Sequence, residues 1–455
     1  MGFVFYDIET TGLNRRFDQI LQFAAVRTDA DLVETERFET RSRLMPHVVP
    51  SPKALHVTGV SLDDANSMSR KSHYAMVCEI AKTLAAWCPA TFLGFNSIRF
   101  DEEFLRQAFY QCLHPVFLTN TNGNARADVL NLMRAAGTLH PSIIHPGVED
   151  NGRVSYRLSA LASANGIAPG KVHDAVADVD AMLELCRTVR ERAPELWSTF
   201  LRFSSKAAVV DFVRDEEAFA YFDFFGSPRV MHFLTRVGVC PNDANAHYCL
   251  DLTSDMRELR KLDDAALSER MKQEPRPVRR LKVNGSPLLY PLWDIDSDHF
   301  HDATADELSR TASSVRANQE FMSALTRAAA SVEPVYAASE HVELQIYGGN
   351  FFSDGDLELC RQFHAWPWER RSEIVDRFND QRLKRLGRRL IYFERQHLIG
   401  DADSHIIAGD ISARRRGEGN YASPPWTTIS QALIELETID GEVSTEFKKS
   451  FLELR

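Results

Sequence analysis

The N-terminal strand constrains this chain more than any other segment. Gly2-Phe3-Val4-Phe5-Tyr6 is an aromatic and β-branched run that reads as a buried strand, and it continues straight into Asp7-Ile8-Glu9-Thr10. Side chains two apart on a strand share a face, so Asp7 and Glu9 point the same way with Ile8 opposite them. Two ionised carboxylates beside a sheet interior are costly unless they are paired or bound to a cation. A dication between them relieves that cost, and hard oxygen ligands suit Mg²⁺ or Mn²⁺ better than zinc.

Two further acidic stretches follow the same layout. Residues 90–96 read as a strand running out into a turn at Asn96, after which residues 100–105 begin a helical pattern with Asp101 at its start. Residues 171–174 precede a helix whose apolar positions are Ala175, Val176, Val179, Met182, Leu183 and Cys186. Asp174 reads as the N-cap of that helix, Asp178 falls one turn inside it, and His173 sits on the approach. Spacing alone leaves Asp174 and Asp178 as alternatives.

Taken singly, each piece has an ordinary explanation. A D-x-E on a strand is commonly a solvated edge, Asp101 alone would satisfy helix-start amides, and a lone His before a helix is commonly surface. Three such motifs, each at a strand end or helix start, make a set of four carboxylates and one imidazole. That set suits two divalent metals and a water held over a phosphodiester.

The ordered combination resembles the exonuclease superfamily that carries Asp, Glu, Asp, Asp and a catalytic His, which includes polymerase proofreading subunits. Residues 22–29, 94–101, 155–158 and 164–167 narrow the resemblance to the bacterial exodeoxyribonuclease I family, as do residues 278–287 and 345–354 outside the nuclease part. It implies an α/β architecture: an RNase H-like mixed-sheet exonuclease domain over 1–193, an SH3-like β-barrel domain with a helical extension over 194–338, and a C-terminal helical domain over 341–455. By that resemblance Asp7, Glu9 and Asp178, assisted by Asp101, hold two Mg²⁺ ions (Mn²⁺ as a substitute) about 3.5–4 Å apart. The family pattern favours Asp178 over Asp174, and His173 is the general base. Glu9, Thr10, Asn96, Arg106, Arg134 and Arg157 are the expected substrate contacts. The implied activity is 3′→5′ hydrolysis of single-stranded DNA to nucleoside 5′-monophosphates in repair and recombination. The implied protein partner is the single-stranded DNA-binding protein, although residues 140–153 depart from the family pattern and leave its docking residues unmapped. A 3′→5′ exoribonuclease or a proofreading-type exonuclease would use the same site, and a nucleic-acid-binding adaptor would have lost part of it.

Composition sets outer bounds. With 455 residues, 44% hydrophobic and 26% charged, the chain has material for two or three domains of ordinary soluble character. No apolar run reaches the roughly 18 residues that span a bilayer, so a cytoplasmic protein without membrane contact is expected; a monomer is expected as well. Seven cysteines without a regular framework fit reduced thiols, and Cys240, His247 and Cys249 lack the paired spacing of a zinc site. A net charge of −11 does not exclude nucleic acid, since phosphate binding needs only a local positive groove.

Downstream, residues 207–213, 218–225, 230–237, 248–252 and 278–289 read as short strands, with helices from about Asp302. From Val342 the pattern is mostly helical. In residues 382–398, Leu383, Leu386, Leu390 and Phe393 form an apolar stripe among Arg382, Lys384, Arg385, Arg388, Arg389 and Arg395. Either a docked helix with a solvated basic face or a wall tracking a nucleic-acid strand would account for it. Tyr347, Phe351, Phe352 and Phe225 are core aromatics or base-stacking surfaces, and residues 414–419 read as a basic loop.

Overall fold

The computed structural model describes residues 2–149, 151–168, 174–222, 231–300, 303–334, 339–418, 424–439 and 445–454. The chain packs as two compact units, Met1–Asn124 with Gly166–Leu183 and Ala337–Arg455, and Ala125–Asn165 with Glu184–Tyr336.

In the first unit, strands β1 (Gly2–Thr10), β2 (Ile20–Thr28), β3 (Glu34–Arg41) and β4 (Ala90–Gly94) lie in the order β3-β2-β1-β4. The β1–β2 and β2–β3 pairs are antiparallel and β1–β4 is parallel, which makes the sheet mixed. Ile8 is buried while Asp7 and Glu9 stay partly accessible, as strand alternation requires. The helix His73–Trp87 is capped by Ser72, and Asp101–Gln111 starts with three acidic residues in its first turn.

The C-terminal helices join this same core. Leu359, Phe363, Ile374, Leu386 and Leu390 are buried in one cluster with Tyr6, Phe23, Phe92 and Phe104. Packing therefore places residues 337–455 in the same compact unit as the N-terminal strands.

The second unit holds an antiparallel sheet with strand order Val278–Lys282, Asp243–Asp251, Met231–Cys240, Phe219–Phe222, Leu289–Pro291. Adjacent residues Tyr248 and Cys249 enter different clusters. Tyr248 packs with Val315, Phe321 and Leu325, and Cys249 with Phe203, Val209 and Phe212. Most of the strands expected downstream of residue 215 are present, with Asp223–Val230 outside the described residues.

Residues 207–213, expected as a strand, belong instead to the helix Lys206–Asp215. Ser205 caps it, and Val209, Phe212 and Val213 supply a buried stripe at helical spacing that overrides the β-branched propensity. The basic loop expected over residues 414–419 is also corrected. Arg414, Arg415 and Arg416 finish the helix Asp401–Arg416, which ends at Gly417 with φ 72°.

Candidate active site

β1 brings two of the acidic residues and the helix Ala175–Arg192 brings the third. Carboxylate oxygens of Asp7, Glu9 and Asp178 all lie within 4.8 Å of one another. Asp101, almost fully buried as the first residue of its helix, adds its charge to the group. Burial, then Asp101, Asp178 and Glu9, hold the Asp7 carboxyl well above the usual carboxylate range. Glu9 is pushed up to about 8, first by burial and then by Asp178 and Asp174, with Arg41 pulling the other way. Clustered carboxylates that resist losing their protons are what a divalent cation would neutralise, and three hard oxygen donors fit such an ion.

Asp174 does different work. It accepts from the Arg41 guanidinium at 3.0 Å and caps its helix through the Val176 amide at 3.1 Å. The geometry thus groups Asp178, not Asp174, with Asp7 and Glu9. Arg41 was missed in the sequence because its partner is 133 residues away and nothing local marks it.

Among the other expected site residues, Thr10 is buried and donates to the Gly12 carbonyl at 2.7 Å. Asn96 follows β4 with φ 58°, a left-handed conformation that Asn tolerates better than most residues. Arg106 is 8% exposed, and its guanidinium is held by Glu102 at 3.1 Å, Glu103 at 3.3 Å, the Tyr347 hydroxyl at 3.2 Å and Asn120 at 3.3 Å. Arg134 and Arg157 belong to the second unit. Arg157 is largely exposed and pairs with Glu149 at 3.6 Å, while Arg134 is half-buried and partly offsets the upward push of burial on the Tyr156 hydroxyl. His173 and Phe225 lie outside the described residues.

The basic helix Gln381–Arg395 resolves to the docked alternative. Leu383, Leu386 and Leu390 are buried, and four of its arginines are held by partners within the first unit. Arg382 donates to the carbonyls of Gln345, Gly348 and Asn350, Arg385 to that of Glu340, and Arg389 to Glu343 and Gln111. Arg388 pairs with Asp376 and Asp403.

Among the described residues a second cluster has metal-ligating composition: Cys78, His114 and His364. The two imidazoles stack at 3.9 Å between centroids and 9° between planes. A ligated ion lies in the plane of each imidazole, and two parallel stacked planes share no such point. His364 also bonds Tyr74 at 2.9 Å and the Leu113 carbonyl at 3.1 Å, so the cluster is a bonded polar core. Cys240, His247 and Cys249 form no such cluster, and the cysteines are free thiols.

Comparison with known proteins adds the lineage. Residues 4–186 match the family described as Exonuclease. Exodeoxyribonuclease I of Escherichia coli K12 is 29% identical over 377 residues, which cover 78% of this chain and 77% of that protein. Exonuclease I from Methylocaldum szegediense shares the fold with a TM-score of 0.87 at 24% identity, covering 100% of this chain and 98% of the other. E. coli exonuclease I in complex with a dT13 oligonucleotide gives 0.85 at 23% identity, covering 99% and 98%. The carboxylates Asp7, Glu9, Asp101 and Asp178 all fall within the stretch that is similar to exonucleases. Beyond that stretch the similarity to bacterial exodeoxyribonuclease I continues, over 377 residues in the E. coli protein.

Proposed function

We infer that the protein is a 3′→5′ exodeoxyribonuclease that degrades single-stranded DNA to nucleoside 5′-monophosphates, in repair and recombination. The observation that carries this reading is the convergence of Asp7, Glu9 and Asp178 within a chain related to exodeoxyribonuclease I along most of its length. Asp7, Glu9 and Asp178 are the proposed holders of Mg²⁺, with Asp101 as the supporting carboxylate. When bound, the metal supplies Lewis-acid polarisation of the phosphate and charge compensation.

His173 is assigned as general base, taking a proton from the water whose oxygen attacks the terminal phosphorus as the bond to the 3′ oxygen breaks. Imidazole is the side chain suited to taking and releasing a proton near neutral pH. Arg41 acts through Asp174, fixing the start of the helix that carries Asp178. Thr10, Asn96, Arg134 and Arg157 are proposed substrate contacts, and Arg106 supports the Asp101 helix. Residues 194–338 are proposed as the SH3-like domain with its helical extension, as in the resembling family. The single-stranded DNA-binding protein, which accompanies exonuclease I in a solved structure of this fold, is the proposed partner. A cytoplasmic monomer is proposed with it; among the described residues no helix is long and apolar enough to cross a membrane.

The test is a gel series on 3′-labelled and 5′-labelled single-stranded DNA, duplex DNA and RNA, with Mg²⁺ or EDTA. The expected result is stepwise shortening of 5′-labelled single strands and immediate mononucleotide release from the 3′ label, abolished by EDTA. Equal degradation of RNA would overturn the substrate assignment.

A further inference from the structure

The adjacent rings of Phe351 and Phe352 face different environments. Phe352 is half-buried, stacks on Tyr110 at 6.3 Å between centroids and has the Arg382 guanidinium over it at 4.5 Å. Phe351 is 87% exposed, and Tyr347 beside it is 48% exposed. Such exposure is ordinary on a floppy loop, but this segment is fixed. Arg382 donates to the carbonyls of Gln345, Gly348 and Asn350, pinning the backbone just before Phe351.

The rings are also built into a layered support. Phe117 meets Phe351 edge-on at 6.3 Å and lies near-parallel to Tyr347 at 6.5 Å. Arg106 lies over the Phe117 ring at 5.2 Å and Arg16 over the Tyr347 ring at 5.0 Å. The Tyr347 hydroxyl donates to Glu103 at 2.9 Å. Glu103 and Arg106 stand on the helix Asp101–Gln111, whose first residue belongs to the carboxylate site. The platform and the supporting carboxylate Asp101 thus share one helix.

Cationic groups border the same place. Arg16 pairs with Glu103 at 3.6 Å, and the exposed Arg15 donates to the carbonyl of Arg99, two residues before Asp101. Asp18 fixes the turn carrying Arg15 and Arg16 by accepting from the Asn14 amide at 2.8 Å and the Thr11 hydroxyl at 3.1 Å. Aromatic faces held rigidly and edged by guanidinium groups are the arrangement that holds unpaired bases and their phosphates, because every base has a π-face and every linkage a negative charge. An apolar protein ligand would be served by a groove, whereas here single faces are offered to solvent.

We propose that Phe351, supported by Tyr347 and Phe117, is a base-stacking platform for single-stranded nucleic acid on the 5′ side of the scissile linkage, with Arg15 and Arg16 contacting its phosphates. It rests on the exonuclease reading above and adds where the unreacted strand is gripped. Phe351 steadies the strand between turnovers and takes no part in the chemical step.

The experiment uses the full chain and Phe351→Ala, with Phe351→Trp as the conservative control. Affinity is read by fluorescence anisotropy with EDTA present, on a long single strand, on a trinucleotide, and on long strands carrying one abasic site at successive positions. Phe351→Ala should weaken long-strand binding about 5- to 100-fold, leave the trinucleotide unchanged, and be restored by Phe351→Trp. One abasic position should weaken the wild type and cause no further loss in Phe351→Ala. Unchanged long-strand affinity in Phe351→Ala, or a loss that adds in full to every abasic position, would overturn the platform. A wild-type protein that binds long strands but degrades none of them would instead overturn the exonuclease reading, which separates the two failures.

Discussion

The Arg41 guanidinium donates to Asp174 at 3.0 Å, and this contact separates two acidic residues that lie one turn apart on the same helix. Asp174 is matched by a cation and by its own helix amide, whereas Asp178 faces Asp7 and Glu9. Asp178→Asn should therefore lower kcat by about 10³-fold or more, the scale of losing a metal-supported transition-state interaction of several kcal/mol. Asp174→Asn should cost about tenfold, as for a group that orients a ligand. Steady-state rates on single-stranded DNA check both, and equal losses would contradict the division of roles.

Removing metal should reveal the stored protons. Glu9 in the folded protein ionises near pH 8, against an ordinary 4.5, because of burial and Asp178. For a carboxyl raised in this way, its stability contribution is complete below pH 4.5 and is lost as pH rises through about 8. The EDTA-treated protein should thus lose Tm over that interval, and Mg²⁺ should raise Tm more at pH 8.5 than at pH 6, since the ion no longer displaces a proton. Calorimetry at the two pH values measures this; a pH-independent metal shift would argue against buried, proton-holding ligands.

Acid should unfold the first unit through its buried imidazoles. Burial depresses His73 and His364 to about 4 and His114 to about 3, the stacked partner adding to the effect on His114. With folded values below the unfolded 6.5, the stability they confer is present above pH 6.5 and is lost as pH falls toward 4. Tm measured from pH 7 to 4 should fall, and His364→Phe should flatten the lower part of the curve.

Glu343 is buried between Arg389 at 2.6 Å and Arg414 at 2.8 Å, and both guanidiniums hold its carboxyl below the usual range. Glu343→Gln leaves two guanidiniums facing an uncharged amide and should cost about 3–5 kcal/mol. Arg389→Ala should likewise lower stability while leaving the salt dependence of DNA binding unchanged, since that side chain is spent on the fold and not on phosphates. A flatter salt dependence with undiminished stability would restore the strand-tracking wall.

These cases show what the sequence could carry. Asp7 and Glu9 were legible because two carboxylates on one face of an aromatic strand conflict with burial, and only function resolves such a conflict. The partners of Arg382, Arg389 and Arg414 were not, because Glu343 and the carbonyls of residues 345–350 are brought to them by tertiary packing. The helix Asp401–Arg416 has no buried residue, so it offered no apolar stripe, and its last turn passed for a basic loop. Residues 207–213 mislead for the opposite reason: their β-branched run is conspicuous, while the Ser205 cap and the helical spacing of Val209, Phe212 and Val213 are the weaker local signal.

The central claim is that Asp7, Glu9 and Asp178 together hold the divalent metal that supports cleavage at the 3′ end. Release of 5′-mononucleotides from single-stranded DNA, followed across a Mg²⁺ titration in wild type and Asp7→Asn, tests it directly. The wild type should show saturable activation, and Asp7→Asn a flat, near-background response with its fold retained. An Asp7→Asn protein that follows the wild-type curve would contradict it.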